Sequence, residues 1–451
     1  MKHKHSFFNI VCSLAIPVAL QSMLQASFSI FDQIMIGQLG STNVAGVGLA
    51  GKFSSIFSVL VSAIGAVAGI MISQYIGQNN KEEVQKSFYL NLIIAFLIAL
   101  IFTMICIIFP IQIMSVYTTD DQTLIVSANY LKIIALTFLP MAGATLLSTM
   151  FRCHDKAHLP LFASIIAAIF NTGLNYILIF GKWGFPVMGV QGAAIATLIS
   201  QIINFLIMFI MILNHNNGFK MSSRHYKISF QIDWKQYMGI LLPILFCELF
   251  WSLGENVYAA IYGHIGTESS AAMTLINPIQ GLMIGALCGL SQAAGIIIGK
   301  MLGNKDYDDA YHASKKFIIY GFVGSIILSI LIVITRQYYV NIFQVEESVK
   351  KLTGQILLAY AMIAPFKVLN MILGGGIIRS GGKTQYTMLI DMIGTWGFGV
   401  PLGLLSAFTF KLSIPYVYFI LSLEECIRFF ISIIILKQKK WMHSLSTVES
   451  L

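Results

Sequence analysis

Twelve apolar stretches, each of roughly 20 residues or more, recur along the chain, and each is long enough as a helix to cross a hydrocarbon core about 30 Å thick at about 1.5 Å per residue. This constrains the fold more than any other feature. Lipid offers no partner to a backbone N–H or C=O, so an unbroken apolar run must satisfy its own hydrogen bonds as a helix. The spans fall at 8–38, 45–76, 87–116, 122–150, 158–181 and 188–214, then at 236–265, 271–300, 313–340, 352–378, 384–410 and 413–436. Only 10% of the residues are charged and 57% are apolar, against about 25% charged in an ordinary soluble domain, so packing in water is excluded. The first run follows "MKHKHS", exceeds a signal-peptide core, and has no small-residue cleavage site before Asp32, so it reads as a retained span.

The net charge is +9, but Lys and Arg are scattered through short loops and form no basic face for nucleic acid. They report topology. With both termini cytoplasmic, 19 of the 28 Lys and Arg fall in inner loops and tails, five in outer loops and four within spans, as the positive-inside rule requires. The six cysteines show no CxxC or Cys/His spacing and read as small buried hydrophobes. "GIIRSGGKT" imitates a phosphate-binding loop, but Gly376 and Gly382 are one residue too far apart and no strand precedes them. With no H-E-x-x-H and no nucleophile elbow either, neither an enzyme nor a cofactor is expected.

The longest polar connection, "NHNNGFKMSSRHYKISFQIDW", lies mid-chain, and sliding the sequence over itself shows why. At an offset of 226 residues Pro17 meets Pro243, Gly37 meets Gly263, Gly40 meets Gly266, Ala45 meets Ala271, Gly69 meets Gly295 and Gly77 meets Gly303. At 227, Arg152 meets Arg379 and Lys156 meets Lys383. The chain is a duplicated six-helix unit, and because six is even the copies enter the bilayer in the same direction. The expected domains are an N-terminal lobe at 1–214, a cytoplasmic linker at 215–234, a C-terminal lobe at 235–440 and a cytoplasmic tail at 441–451.

The repeat conserves bends and close-packing glycines but not charge: offset 226 places Tyr258 opposite Asp32 and Ser22 opposite Glu248. Asp32 is the only charged side chain between Phe7 and Leu39. A charge at that depth costs about 3 kcal/mol on insertion scales, so intramembrane acids face a bundle interior or a watered cavity. On the fifth span Asn171 and Asn175 share a helical face at i,i+4, and Thr197 of the sixth lies at similar depth. Together with Asp32 these groups could hold a proton or a small cation, and interhelical hydrogen bonding would account for the amides equally. On the seventh span Glu248 and Glu255 stand two turns apart with Trp251 between, a set suited to an organic cation through charge and cation–π attraction. Glu424, Glu425 and Arg428 are spaced to neutralise one another within the last span, and Asp391 and Lys367 fit a structural or a functional role equally.

The pattern P-x(14)-D-x(4)-G-x-x-G from Pro17 to Gly40, the stretch "FGKWGFPVMGVQGAAIATLISQ" from Phe180 to Gln201, and "RSGGKT" after span ten resemble the multidrug and toxic compound extrusion (MATE) family over nearly the whole chain, its DinF-like more than its NorM-like members. The resemblance implies an all-α integral membrane fold of twelve transmembrane helices, two parallel six-helix repeats in a V-shaped arrangement. It implies export of hydrophobic, often cationic compounds against inward protons or sodium ions. The family's coupling acid maps onto Asp32. DinF-like members carry Asn then Asp where this chain has Asn171 and Asn175, and NorM-like members carry Glu where it has Trp251.

The function expected from these observations is a secondary antiporter of a bacterial plasma membrane, monomeric, exporting small lipophilic cations in exchange for protons. Asp32, Asn171, Asn175 and Thr197 are expected to couple the ion, and Glu248, Trp251 and Glu255 to bind cargo. Withdrawal of a carboxyl group from water favours its neutral form, which points to protons, while the neutral oxygens beside Asp32 suit a sodium ion. The alternatives are a sodium-coupled drug antiporter and a lipid-linked precursor flippase of the same superfamily, for which several arginines inside the central cavity would be expected.

Overall fold

A computed structural model describes residues 7–214, 233–343 and 345–445. The expected linker therefore lies outside the described residues except for its last two positions, as do residues 446–451 of the expected tail. The first half supplies α1 (Phe7–Gly37), α2 (Ser41–Gly77), α3 (Lys81–Ile108), α4 (Pro110–Ser115), α5 (Asp121–Ile134), α6 (Phe138–Cys153), α7 (His158–Phe180) and α8 (Gly189–Leu213). The second supplies α9 (Trp234–Ile265), α10 (Thr267–Gly303), α11 (Tyr307–Asn341), α12 (Glu347–Asn370), α13 (Gln385–Asp391), α14 (Val400–Leu404), α15 (Ile414–Ser422) and α16 (Glu424–Gln438). No strand occurs among the described residues, and eleven helical stretches among them are long and apolar enough to cross a membrane. The fourth crossing joins α5 to α6 through a single 3₁₀ turn, Ala135–Thr137. The twelfth apolar stretch is helical too, but in two pieces that meet at Leu423, where Glu424 and Glu425 begin α16.

Two compact units form. One comprises Leu20–Ile72 and Lys81–Gln231, and the other Met1–Ala19, Ser73–Asn80 and Ile232–Leu451, so α1 and α2 contribute segments to both. The duplication is visible in the backbone. Gly40 and Gly266 follow the first helix of each repeat with φ of 96° and 152°, a region that glycine enters without the Cβ penalty. In the second unit the C-terminal ends of α2 and α10 touch glycine to carbonyl: a Cβ on Gly77 would strike the Lys300 carbonyl, and one on Gly303 the Gln74 carbonyl. Gln74 and Lys300 are themselves 226 residues apart, so the crossing is a pseudo-symmetric pair of contacts built from one duplicated sequence. Small residues let helices approach this closely in lipid, where dispersion and backbone contacts replace the hydrophobic drive.

The second unit also departs from regular helix. Beyond α12 the chain widens into π turns at Met371–Ile378, and again at Met392–Gly399 and Leu405–Thr409 on either side of α14. Such turns concentrate at functional sites. The described end of the chain is packed: Trp441 is fully buried, Gln74 donates to the carbonyls of Ser380 (2.6 Å) and His443 (3.1 Å), and the Leu445 amide donates to Gln74 Oε1 at 2.7 Å.

Candidate functional site

Asp32 faces α7. Asn175 Nδ2 donates to Asp32 Oδ1 at 2.5 Å and to Asn171 Oδ1 at 3.4 Å, and Asn171 Nδ2 donates in turn to Thr197 Oγ1 and Ser200 Oγ, both at 3.4 Å. The i,i+4 spacing of the two asparagines puts both amides on one face of α7. The close packing of α7 on α8, where a Cβ on Gly192 would meet the Leu178 backbone, brings Thr197 and Ser200 against that face. All four residues expected at the ion site are thus strung on one hydrogen-bonded chain. The sequence reading missed Ser200, whose i,i+3 spacing from Thr197 was the available signal, and Tyr130 of α5, which lies within electrostatic reach of Asp32 and announced itself by nothing. Asn175 is 1% exposed and its Oδ1 has no hydrogen-bond partner among the described residues. A carboxylate, amide oxygens and a hydroxyl make a hard donor set that suits a proton or an alkali cation.

The corresponding region of the second unit has moved its acid. Tyr258, the repeat mate of Asp32, donates its hydroxyl to Glu424 Oε2 at 2.6 Å, and at the offset of 227 Glu424 stands opposite Thr197. The carboxylate has passed from the first helix of the repeat to the last. Gly399 makes room for this pair, since a Cβ there would collide with the Tyr258 hydroxyl and the Glu424 carboxylate. Beside them opens a cavity of about 310 Å³ whose lining includes Glu255, Glu424, Glu425, Lys367, Tyr262 and Tyr418. Of the three residues expected to bind cargo, Glu255 lines it. Trp251 lies on the exposed surface, and Glu248 is paired with Arg379 at 3.4 Å.

A second charge network surrounds that pairing. Arg379 Nη2 donates to Cys247 Sγ at 3.3 Å, Cys247 donates to Asp391, and Asp391 is held by Arg428 at 2.5 Å. Arg428 also reaches Glu425 at 3.6 Å, and Asn370 donates to the Glu425 carboxylate at 2.8 Å. The neutralisation expected inside the last span therefore holds for Glu425, while Glu424 takes Tyr258 as its donor. The Arg379 contact is itself duplicated: in the first unit Arg152 Nη2 donates to Gln21 Oε1 at 2.7 Å, and Gln21 and Glu248 are 227 residues apart. Partly buried arginines held in this way are structural charges, costly to leave unpaired.

The MatE family model matches residues 17–177 and again 243–405. The probable multidrug resistance protein YoeA of Bacillus subtilis is 24% identical over 429 residues, covering 92% of this chain and 90% of its own. The probable multidrug resistance protein NorM of Bacillus anthracis is 24% identical over 414 residues, covering 87% of each. Among solved structures, the outward-facing conformation of a multidrug resistance MATE family transporter superposes with a TM-score of 0.86 at 16% identity, covering 96% of both chains. MATE in the bent conformation superposes with a TM-score of 0.84 at 16% identity, over 96% of this chain and 95% of that one. At these identities the superpositions establish the fold.

Proposed function

This chain belongs to the MatE family, and from that premise we propose that it is a multidrug efflux antiporter that exports lipophilic organic cations in exchange for protons taken up at Asp32. Its relatives of known or inferred role are transporters, and the chain is a multi-pass membrane protein. The observation that carries the ion assignment is the 2.5 Å bond from Asn175 to Asp32. It orients one carboxylate oxygen in a span with no other charged side chain and leaves the other for the proton. Antiport requires that loading of one ligand disfavour loading of the other. A proton at Asp32 removes the acceptor charge that holds the Asn175 amide and so loosens the chain of bonds to Asn171 and Thr197.

The cavity of the second unit supports cationic cargo. Its acids supply charge selection, Tyr258, Tyr262 and Tyr418 supply aromatic faces for a cation, and burial of an aromatic body contributes about 25 cal/mol per Å². Glu255 and Glu424 take this role, since Glu248 is engaged by Arg379. A sodium-coupled reading also has one observation in its favour, the unpartnered Oδ1 of Asn175, a buried neutral oxygen beside a carboxylate. Efflux from proteoliposomes under separately imposed gradients tests both. A pH gradient alone should drive export of tetraphenylphosphonium. Export driven by sodium at clamped pH, and abolished without sodium, would replace the proton by sodium.

A further inference from the structure

Cation recognition by the glutamates of the second unit leaves one charged group of their cavity without a task. Lys367 sits in the last turn of α12, immediately before the π turns of Met371–Ile378, and lines the cavity together with Glu255, Glu424 and Glu425. Arg379, partly buried, and Arg428, buried, are committed to Glu248 and to Asp391 and Glu425 respectively. Lys367 makes no hydrogen bond or ion pair among the described residues, and it experiences the charges of Glu425, Glu255 and Glu424 across the cavity. Three carboxylates therefore face a single ammonium that none of them holds. The duplication does not demand a base here, since offset 226 places Met141 at the equivalent position.

A lysine ammonium is a compact point charge on a flexible four-carbon stem, able to turn from one acceptor to another, whereas an arginine is fixed by its planar fork. We propose that Lys367 is a tethered cation that occupies the glutamate cavity when no cargo is present, so that a lipophilic monocation enters only by displacing its ammonium from the acids. This rests on the reading that the cavity takes cationic cargo. Self-competition keeps the affinity low enough for release, and it gives the emptied acids a counter-charge without a bound external cation. Neutral compounds do not compete with Lys367 and are indifferent to it.

The test is equilibrium binding of tetraphenylphosphonium, with triphenylphosphine oxide as the neutral probe, to the purified protein in nanodiscs. Lys367→Met and Lys367→Gln should bind the cation at least about tenfold tighter, the scale set by one unit charge about 10 Å away at an effective dielectric of about 20. Binding of the neutral probe should be unchanged, and Lys367→Arg, which keeps the charge but is pinned by its fork, should bind the cation no more tightly than wild type. Lys367→Gln, which retains a polar head, gives the answer if thermal melts show that Lys367→Met does not fold. If both variants bind the cation as weakly as wild type or more weakly, while Glu255→Gln and Glu424→Gln reduce its binding, the role given to Lys367 is wrong and the cationic cavity stands. If the glutamate variants leave cation binding unchanged, the cavity is not the cargo site and the inference falls with it.

Discussion

Asn175 and Asp32 meet at 2.5 Å although 143 residues separate them in the chain, and the amide that makes this bond is almost fully buried. The pair defines what Asp32→Asn removes: the titratable oxygen and its charge, with the shape of the side chain retained. The variant should insert, fold and bind tetraphenylphosphonium, while uphill efflux from proteoliposomes drops to the level of protein-free vesicles. Efflux at the wild-type rate would remove Asp32 from coupling.

The two glutamates of α9 should separate in function. Glu255→Gln should weaken export of cationic dyes by at least roughly tenfold, the scale of one unit charge about 10 Å away in a medium of effective dielectric about 20, and spare neutral ones. Glu248→Gln should leave the cationic preference intact and instead lower the thermal midpoint, because it removes the charge that neutralises Arg379 and leaves only an amide oxygen to accept from it. Paired dye-efflux and melting measurements decide it, and a reversed pattern would assign cargo to Glu248.

The crossing of α2 and α10 should tolerate no added carbon. Gly77→Ala and Gly303→Ala each force a Cβ onto a carbonyl of the facing helix, an overpacking that costs about 1–3 kcal/mol. Both should lower the melting temperature in detergent by similar amounts, since the two contacts are copies of one another. Gly48→Ala, where nothing lies within 4 Å of the added carbon, is the control.

The packed end of the chain should respond to pH. Burial, and then Lys383 beside it, hold the His443 imidazole below its ordinary value of 6.5. A histidine whose pKa is lowered on packing favours the packed state most when neutral. Packing of Trp441 to Leu445 is therefore complete above about pH 6.5 and weakens as pH falls below it, where the released imidazole gains a proton. Hydrogen exchange of the amides of 441–445 should quicken on acidification in the wild type, and this dependence should disappear in His443→Asn.

The span pattern, the duplication and the shared face of Asn171 and Asn175 were legible because each rests on a local regularity. A bilayer imposes one length and one polarity on every crossing, Pro17 and Pro243 or Gly77 and Gly303 repeat at a fixed offset, and Asn171 with Asn175 share a face whatever lies opposite. The break at Leu423, the π turns around α14 and the engagement of Glu248 by Arg379 were not legible, since nothing within a few residues of each specifies them.

By itself the sequence determined that this is a duplicated helical membrane protein with an acid in its first span, since hydropathy and spacing act along the chain. Tertiary structure alone decided which charges pair and which stay open to a cavity. Glu425 and Glu424 are adjacent in sequence, yet Arg428 reaches one and Tyr258 the other. Lys367 meets neither within bonding distance, because the rotation of each helix about its own axis is set by the side chains packed against it, and residues some 130 to 170 positions apart, such as Tyr258 and Glu424, are brought face to face only when that packing is complete.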